Sequence, residues 1–275
     1  MPTLAVNGVE LYYEVHGSGP PVLGIHGTPS SRLLWEDAAE VLGRRSRCII
    51  YDRRGFYRSE RPEPFEAVNL ADHVEDAAAL LEALSAAPAV VIGRSTGGEI
   101  ALELARRHPG KVAALVLLEP ALFTLDPQAA AWAQQLRQTV LAVAERSPSA
   151  ASETVLRAAL GDEAWGALSA QLRQHFTDAS PAVLAEIRGR GLDLSEAPLE
   201  LSKAEAADMR QPTLIITAED SPEALHAVNR RLAELLPNTE TALVAGGHLV
   251  DPAGSTVLDF LDRHLPPLPS TEVNA

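Results

Sequence analysis

Ala89-Val90-Val91-Ile92-Gly93-Arg94-Ser95-Thr96-Gly97-Gly98-Glu99 decides the fold. Pro88 opens it, and the apolar, largely β-branched run at residues 89–92 reads as a short buried strand. Residues 99–108 continue as a helix, so Ser95 sits on the turn between strand and helix. A Gly-x-Ser-x-Gly sequence in that setting has a physical meaning. The turn is sharp enough to strain the central residue, and small residues two positions away on either side relieve the crowding. The Ser95 hydroxyl then projects toward the start of a helix, where the macrodipole favours negative charge. A plain glycine-rich turn is the competing reading. The strand–turn–helix order favours a nucleophile.

Working outward, residues 3–6 and 9–15 flank Asn7-Gly8, a β-hairpin signal because both turn residues tolerate positive φ. Residues 21–25 and 47–51 read as buried strands, with a helix at 35–42 between them. A helical period covers 70–84, and 112–118 is again a strand. This alternation predicts an α/β fold with a mostly parallel sheet flanked by helices on both faces. It breaks at residues 121–209, which read as helix after helix with loops near Ser147-Pro148 and Ser180-Pro181. Strands at 212–217 and 241–244 and helices at 223–236 and 257–265 resume it. The expected organisation is one core, 1–120 and 210–275, carrying a helical cap at 121–209. The sheet count comes to eight strands. The tail 266–275 reads as frayed.

Composition bounds the partners. The 275 residues carry a formal net charge of −14, which disfavours nucleic acid and anionic membrane surfaces. The lone Cys48 lies in an apolar run and reads as a small core residue; it cannot form an internal disulfide. No Cys/His cluster has metal-ligand spacing, so neither metal nor other cofactor is expected. A membrane-spanning run and a signal-type start are both missing, from which a cytoplasmic location is expected. Oligomeric state is not legible.

Four motifs in order extend the reading: His26-Gly27-Thr28-Pro29, Asp52-Arg53-Arg54-Gly55-Phe56-Tyr57-Arg58-Ser59, the turn at Ser95, and Gly246-Gly247-His248. Through them the chain resembles the α/β-hydrolase-fold proteins over nearly its whole length. Tyr57 departs from the pattern, which usually has a second glycine there.

The resemblance implies a serine hydrolase. A serine hydroxyl is a poor nucleophile until an imidazole takes its proton. His248, between a strand and a helix, is the expected general base. His26 reads as a structural histidine of the neighbouring loop. His16, His73, His108, His175, His226 and His264 read as surface or capping residues. The acid has two candidates. The family usually supplies Asp after the seventh strand, in a Gly-x-x-Asp pattern; here the count from Ala218 lands on Ser221, with Asp220 one residue early. One branch of the haloalkane dehalogenases instead places Glu at the end of the sixth strand, and Glu119 stands there, closing an apolar run. A charge in that place needs a partner. Glu119 is favoured and Asp220 is the alternative. Their structural readings are an ion pair with Arg94 and a helix cap before Pro222.

By the same resemblance the backbone amides of Thr28 and Thr96 form the oxyanion hole. Trp35, Phe123, Trp132, Trp165 and Phe176 are candidates for a cap-enclosed apolar pocket, with ordinary packing the commoner role for each. Arg94 either reads a substrate carboxylate or pairs with Glu119 or Asp220. The expected reaction is cleavage of a small-molecule carboxylic ester or lactone. Cleavage of a carbon–carbon bond and cofactor-free haloperoxidase or perhydrolase chemistry use the same groups. Ser95 argues against epoxide hydrolase and dehalogenase chemistry, which such enzymes run on Asp. A non-catalytic ligand-binding member and a scaffold acting through its cap are the non-enzymatic alternatives, since fold alone does not decide function.

Overall fold

The computed structural model describes residues 2–266. The tail beyond Pro266, expected to fray, lies outside them. Eight strands form one sheet: β1 (Thr3–Val6), β2 (Val9–His16), β3 (Pro21–Ile25), β4 (Arg47–Tyr51), β5 (Ala89–Arg94), β6 (Val112–Leu118), β7 (Thr213–Ala218) and β8 (Thr239–Val244). Their order is β1-β2-β4-β3-β5-β6-β7-β8. Pairings from β4 to β8 are parallel, and β1–β2 and β2–β4 are antiparallel. Asn7 and Gly8 take φ of 46° and 75°, the conformation of a two-residue hairpin turn.

Side chains alternate across each strand, and the two faces feed two cores. Ile49, Val91, Leu115 and Leu117 face α2 (Leu70–Ala83 after α1, Glu36–Leu42) and α3 (Thr96–Arg107). Ile50, Val90, Ile92, Val116 and Leu118 face the other way, with α1. Cys48 is fully buried on this second face, and burial pushes its thiol up to about 12, so it packs as a hydrophobe.

The stretch between β6 and β7 is helical: α4 (Pro127–Ala144), α5 (Ala151–Leu160), α6 (Asp162–Ala167), α7 (Ala170–Asp178), α8 (Ser180–Arg188) and α9 (Lys203–Asp208). Asp126 caps α4 by accepting from the amides of Gln128 and Ala129 at 2.8 and 3.0 Å. Ser180-Pro181, expected as a loop, begins α8 instead. Ser180 is buried there, accepts from the Ser152 amide at 3.2 Å and donates to the Ser149 carbonyl at 2.8 Å. Proline suits the first turn, where no N–H is needed. Val183, Leu184 and Ile187 of α8 join the same apolar cluster as Leu70 and Val74 of α2, so this insertion packs directly on the core. The chain closes with α10 (Glu223–Leu235), on the α2–α3 face, and α11 (Ser255–His264), on the α1 face. No helix among the described residues is long and apolar enough to cross a membrane.

Candidate active site

The strand order brings together the loops that follow β3, β5, β6, β7 and β8 at the C-terminal edge of the sheet, where open α/β sheets place their sites. Ser95 follows β5 with φ 55° and ψ −124°, a strained conformation for a residue with a side chain. A Cβ on Gly93 would stand 2.2 Å from the Gly97 carbonyl oxygen, and one on Gly97 would stand 2.2 Å from that of Ile25. Both positions therefore require glycine. The Ser95 amide donates to the Leu118 carbonyl at 2.9 Å, and the Ser95 carbonyl accepts from Gly98 and Ala121 at 2.8 and 3.2 Å, which pins the turn.

Arg94 pairs with Leu118 in the β5–β6 register, so Ser95 and Glu119 leave the sheet as neighbours. Glu119 is fully buried and also has positive φ, 50°. Its Oε1 accepts from the Ala218 amide at 2.9 Å. Its Oε2 accepts from the Ser221 hydroxyl at 2.7 Å and from His248 Nδ1 at 2.7 Å. A carboxylate only accepts, so Nδ1 carries the imidazole proton and Nε2 is the basic nitrogen. Ser221, standing where the family pattern usually has Asp, here serves the carboxylate that replaces it. Asp220 is brought to neither Glu119 nor His248: its side chain is exposed, and its amide donates to the Gly246 carbonyl at 2.9 Å. No hydrogen bond joins Ser95 Oγ to His248 among the described residues. Such contacts commonly tighten only around substrate.

His26, expected as a structural histidine, and Trp35 and Arg94, candidates for the pocket, are all packed inside the protein. His26 is buried, with Nδ1 donating to the Gly27 carbonyl at 2.8 Å and Nε2 accepting from the Arg53 amide at 3.0 Å. Burial and Arg53 hold its pKa well below the ordinary value, so the ring is neutral. Trp35 is buried against Gly24 on the α1 face. Arg94 makes no ion pair with Glu119 or Asp220, contrary to expectation. Its guanidinium lies 5.7 Å from the Trp35 ring centroid, and Nη1 donates to the Val250 carbonyl at 3.1 Å. Its side chain lies among the residues of the α1 face, and burial lowers its pKa to about 10.

The sequence reading missed a buried network where the insertion meets the core. Arg53 is fully buried; Nη1 donates to Glu186 Oε1 of α8 at 2.5 Å, and Nη2 donates to the Gly27 carbonyl at 3.2 Å and to Thr28 Oγ1. His73, expected at the surface, is fully buried in α2 with Nε2 at 2.8 Å from the same Oε1. Burial pushes Glu186 up, but Arg53, His73 and Thr28 outweigh it and hold the carboxyl below its ordinary value. Asp193, just after α8, accepts from the Thr96 hydroxyl at 3.2 Å, and its amide donates to buried Glu99 at 3.0 Å. The available signal was Glu186 itself, a charge inside an otherwise apolar helical stretch.

Tyr57 stacks on His175 of α7 with ring centroids 4.1 Å apart and donates to its carbonyl at 2.6 Å. It therefore ties core to insertion. A cavity of about 400 Å³ within the insertion is lined by Phe123, Thr124, Arg137, Asp193 and Glu196 among others, and a second of about 350 Å³, between insertion and core, by Arg32, Asp52, Tyr57, Arg58 and His175. Ser95 and His248 line neither. Trp165 and Phe176 form a small cluster inside the insertion, while Trp132 packs on Phe123 at 5.2 Å. No cluster of three or more metal-ligating side chains occurs among the described residues.

This arrangement can activate a serine hydroxyl beside a helix start. Comparison with known proteins agrees on the scaffold. The chain is 37% identical over 123 residues to the uncharacterized hydrolase YraK of Bacillus subtilis, a match spanning 45% of each protein. It is 40% identical over 116 residues to a non-heme chloroperoxidase of Streptomyces lividans, spanning 41% of each. The chain thus spans less than half the length of these relatives. A thermophilic esterase of Thermogutta terrifontis superposes with a TM-score of 0.74 at 23% identity, covering 96% of this chain and 97% of that one, a likeness of fold. The family model for the alpha/beta hydrolase fold matches residues 20–250, and the chain belongs to that family.

Proposed function

We propose that the protein hydrolyses small carboxylic esters or lactones through an acyl-enzyme on Ser95. Ser95 Oγ attacks the carbonyl carbon while His248 Nε2 takes its proton. Glu119 holds the imidazole in the reactive tautomer and stabilises its charged form. The amides of Thr28 and Thr96 face the developing oxyanion; Thr96 opens α3, so its N–H has no intrahelical acceptor. His248 returns the proton to the leaving alcohol, and water, activated by His248, then releases the acid. The observation that carries this reading is the 2.7 Å His248–Glu119 bond beside the strained Ser95 turn. The acid role goes to Glu119, not to the exposed Asp220.

The kinship with a hydrolase supports the general class. The match to a chloroperoxidase favours one second reading, in which hydrogen peroxide replaces water and releases a peracid from the same acyl-enzyme. Turnover of p-nitrophenyl acetate and butyrate tests the main proposal. Wild type should hydrolyse them, and Ser95→Ala should not. No turnover by wild type and no reaction with a serine-directed phosphonate would leave the ligand-binding reading in its place.

A further inference from the structure

The two residues assigned to the oxyanion hole share a feature that the reaction itself does not require. Each has its hydroxyl bonded to a carboxylate of the insertion. Thr28 Oγ1 donates to Glu186 Oε2 at 2.6 Å, and Thr96 Oγ1 donates to Asp193 Oδ2 at 3.2 Å. The threonines lie on different loops, after β3 and β5. The carboxylates lie on different pieces of the insertion, α8 and the segment behind it. Neither carboxylate is free to drift: Arg53 and His73 hold Glu186, and the Asp193 amide is held by Glu99 of α3.

We propose that Glu186 and Asp193 are positioning residues that aim the Thr28 and Thr96 amides, so that the oxyanion hole is complete only when the insertion is seated on the core. The inference rests on the ester-hydrolase reading. An oxyanion donor must stand 2.7–3.1 Å from where the oxygen will be, and an error of about 1 Å costs up to about a hundredfold in rate. A loop amide takes its direction from the backbone around it. Fixing the side chain of the same residue to a partner that is itself held removes the freedom that would let the amide swing. The insertion thereby acts on rate as well as on access.

The test uses the full-length protein with p-nitrophenyl butyrate, and phenylboronic acid as a tetrahedral adduct of Ser95. Thr28→Val and Thr96→Val keep shape and lose the hydroxyl; each should lower kcat about tenfold and weaken phenylboronic acid in parallel, with KM within about twofold. Thr28→Ser and Thr96→Ser should restore kcat to within about twofold of wild type. Asp193→Ala should match Thr96→Val, and the double variant should be no worse than either, because both cut one link. Glu186→Ala would strand Arg53 and need not fold, so the threonine variants carry the test. Valine variants with unchanged kcat, effects confined to KM, or multiplying losses in the double variant would overturn the proposal. If those results came with active wild type and inactive Ser95→Ala, the positioning role alone would fall; inactive wild type would remove the hydrolase reading and this one with it.

Discussion

The sheet edge and the seam beneath the insertion both bury a carboxylate against a histidine, yet they are wired differently. Glu119 has an amide, a hydroxyl and one imidazole as partners. Glu186 has Arg53 as well as His73. A guanidinium already compensates the charge of Glu186, and Arg53 beside His73 lowers the pKa of that ring further than burial alone. At Glu119 no such cation takes part, so its charge is available for an imidazolium that exists only during reaction. The same residue types make a reactive pair in one place and a structural tie in the other. The difference lies in whether a permanent cation is present.

Variants can break that comparison. The largest effect is expected at the edge: Glu119→Gln should lower kcat by about 10⁴-fold, as loss of the orienting acid does in serine proteases, while Asp220→Asn stays within about twofold. Parallel kinetics on p-nitrophenyl butyrate separate the two. At the seam the damage should fall on stability. Arg53→Met removes one partner of a buried pair and should cost about 3–5 kcal/mol, read from urea unfolding.

A third prediction concerns pH. Burial, with Glu186 adding repulsion, raises Asp193 from its ordinary 3.8 to about 7; Thr96 and Arg53 oppose this, and Glu99 faces it from α3. The folded protein therefore keeps a proton there that the unfolded chain has lost. The stability linked to this group is full below pH 3.8 and is lost as pH rises to about 7. Asp193→Asn should flatten that decline, comparing unfolding midpoints at about pH 4.5 and 7.5. The smallest effect is expected for Tyr57→Phe, which loses one hydrogen bond to the insertion and should destabilise by about 1 kcal/mol with little change in kcat.

What was legible from sequence follows the same division. β4 and β6 were read with their observed ends, because strands buried on both faces are unbroken apolar runs. β5 runs two residues further than its apolar signal, through Gly93 and Arg94, and α3 begins at Thr96 rather than Glu99. Glycine weakens a helix signal, yet packing at the turn demands Gly97 there. Ser95, Glu119 and His248 are legible as candidates because each closes or follows a strand. The seam could not be read in this way. Glu186 meets His73 across 113 positions and Arg53 across 133, so only the folded chain pairs them. His73 and Arg94 were misplaced for the same reason: local sequence does not tell which side of an element finds a partner.

The central claim is that Ser95 is a nucleophile activated by His248 and Glu119. The most direct measurement is labelling by a fluorophosphonate, with the adduct located by peptide mass spectrometry. A single adduct on Ser95 in wild type, and none over the same time in His248→Ala, is the result this account predicts. Labelling elsewhere, no labelling of folded wild type, or equal labelling without His248 would contradict it.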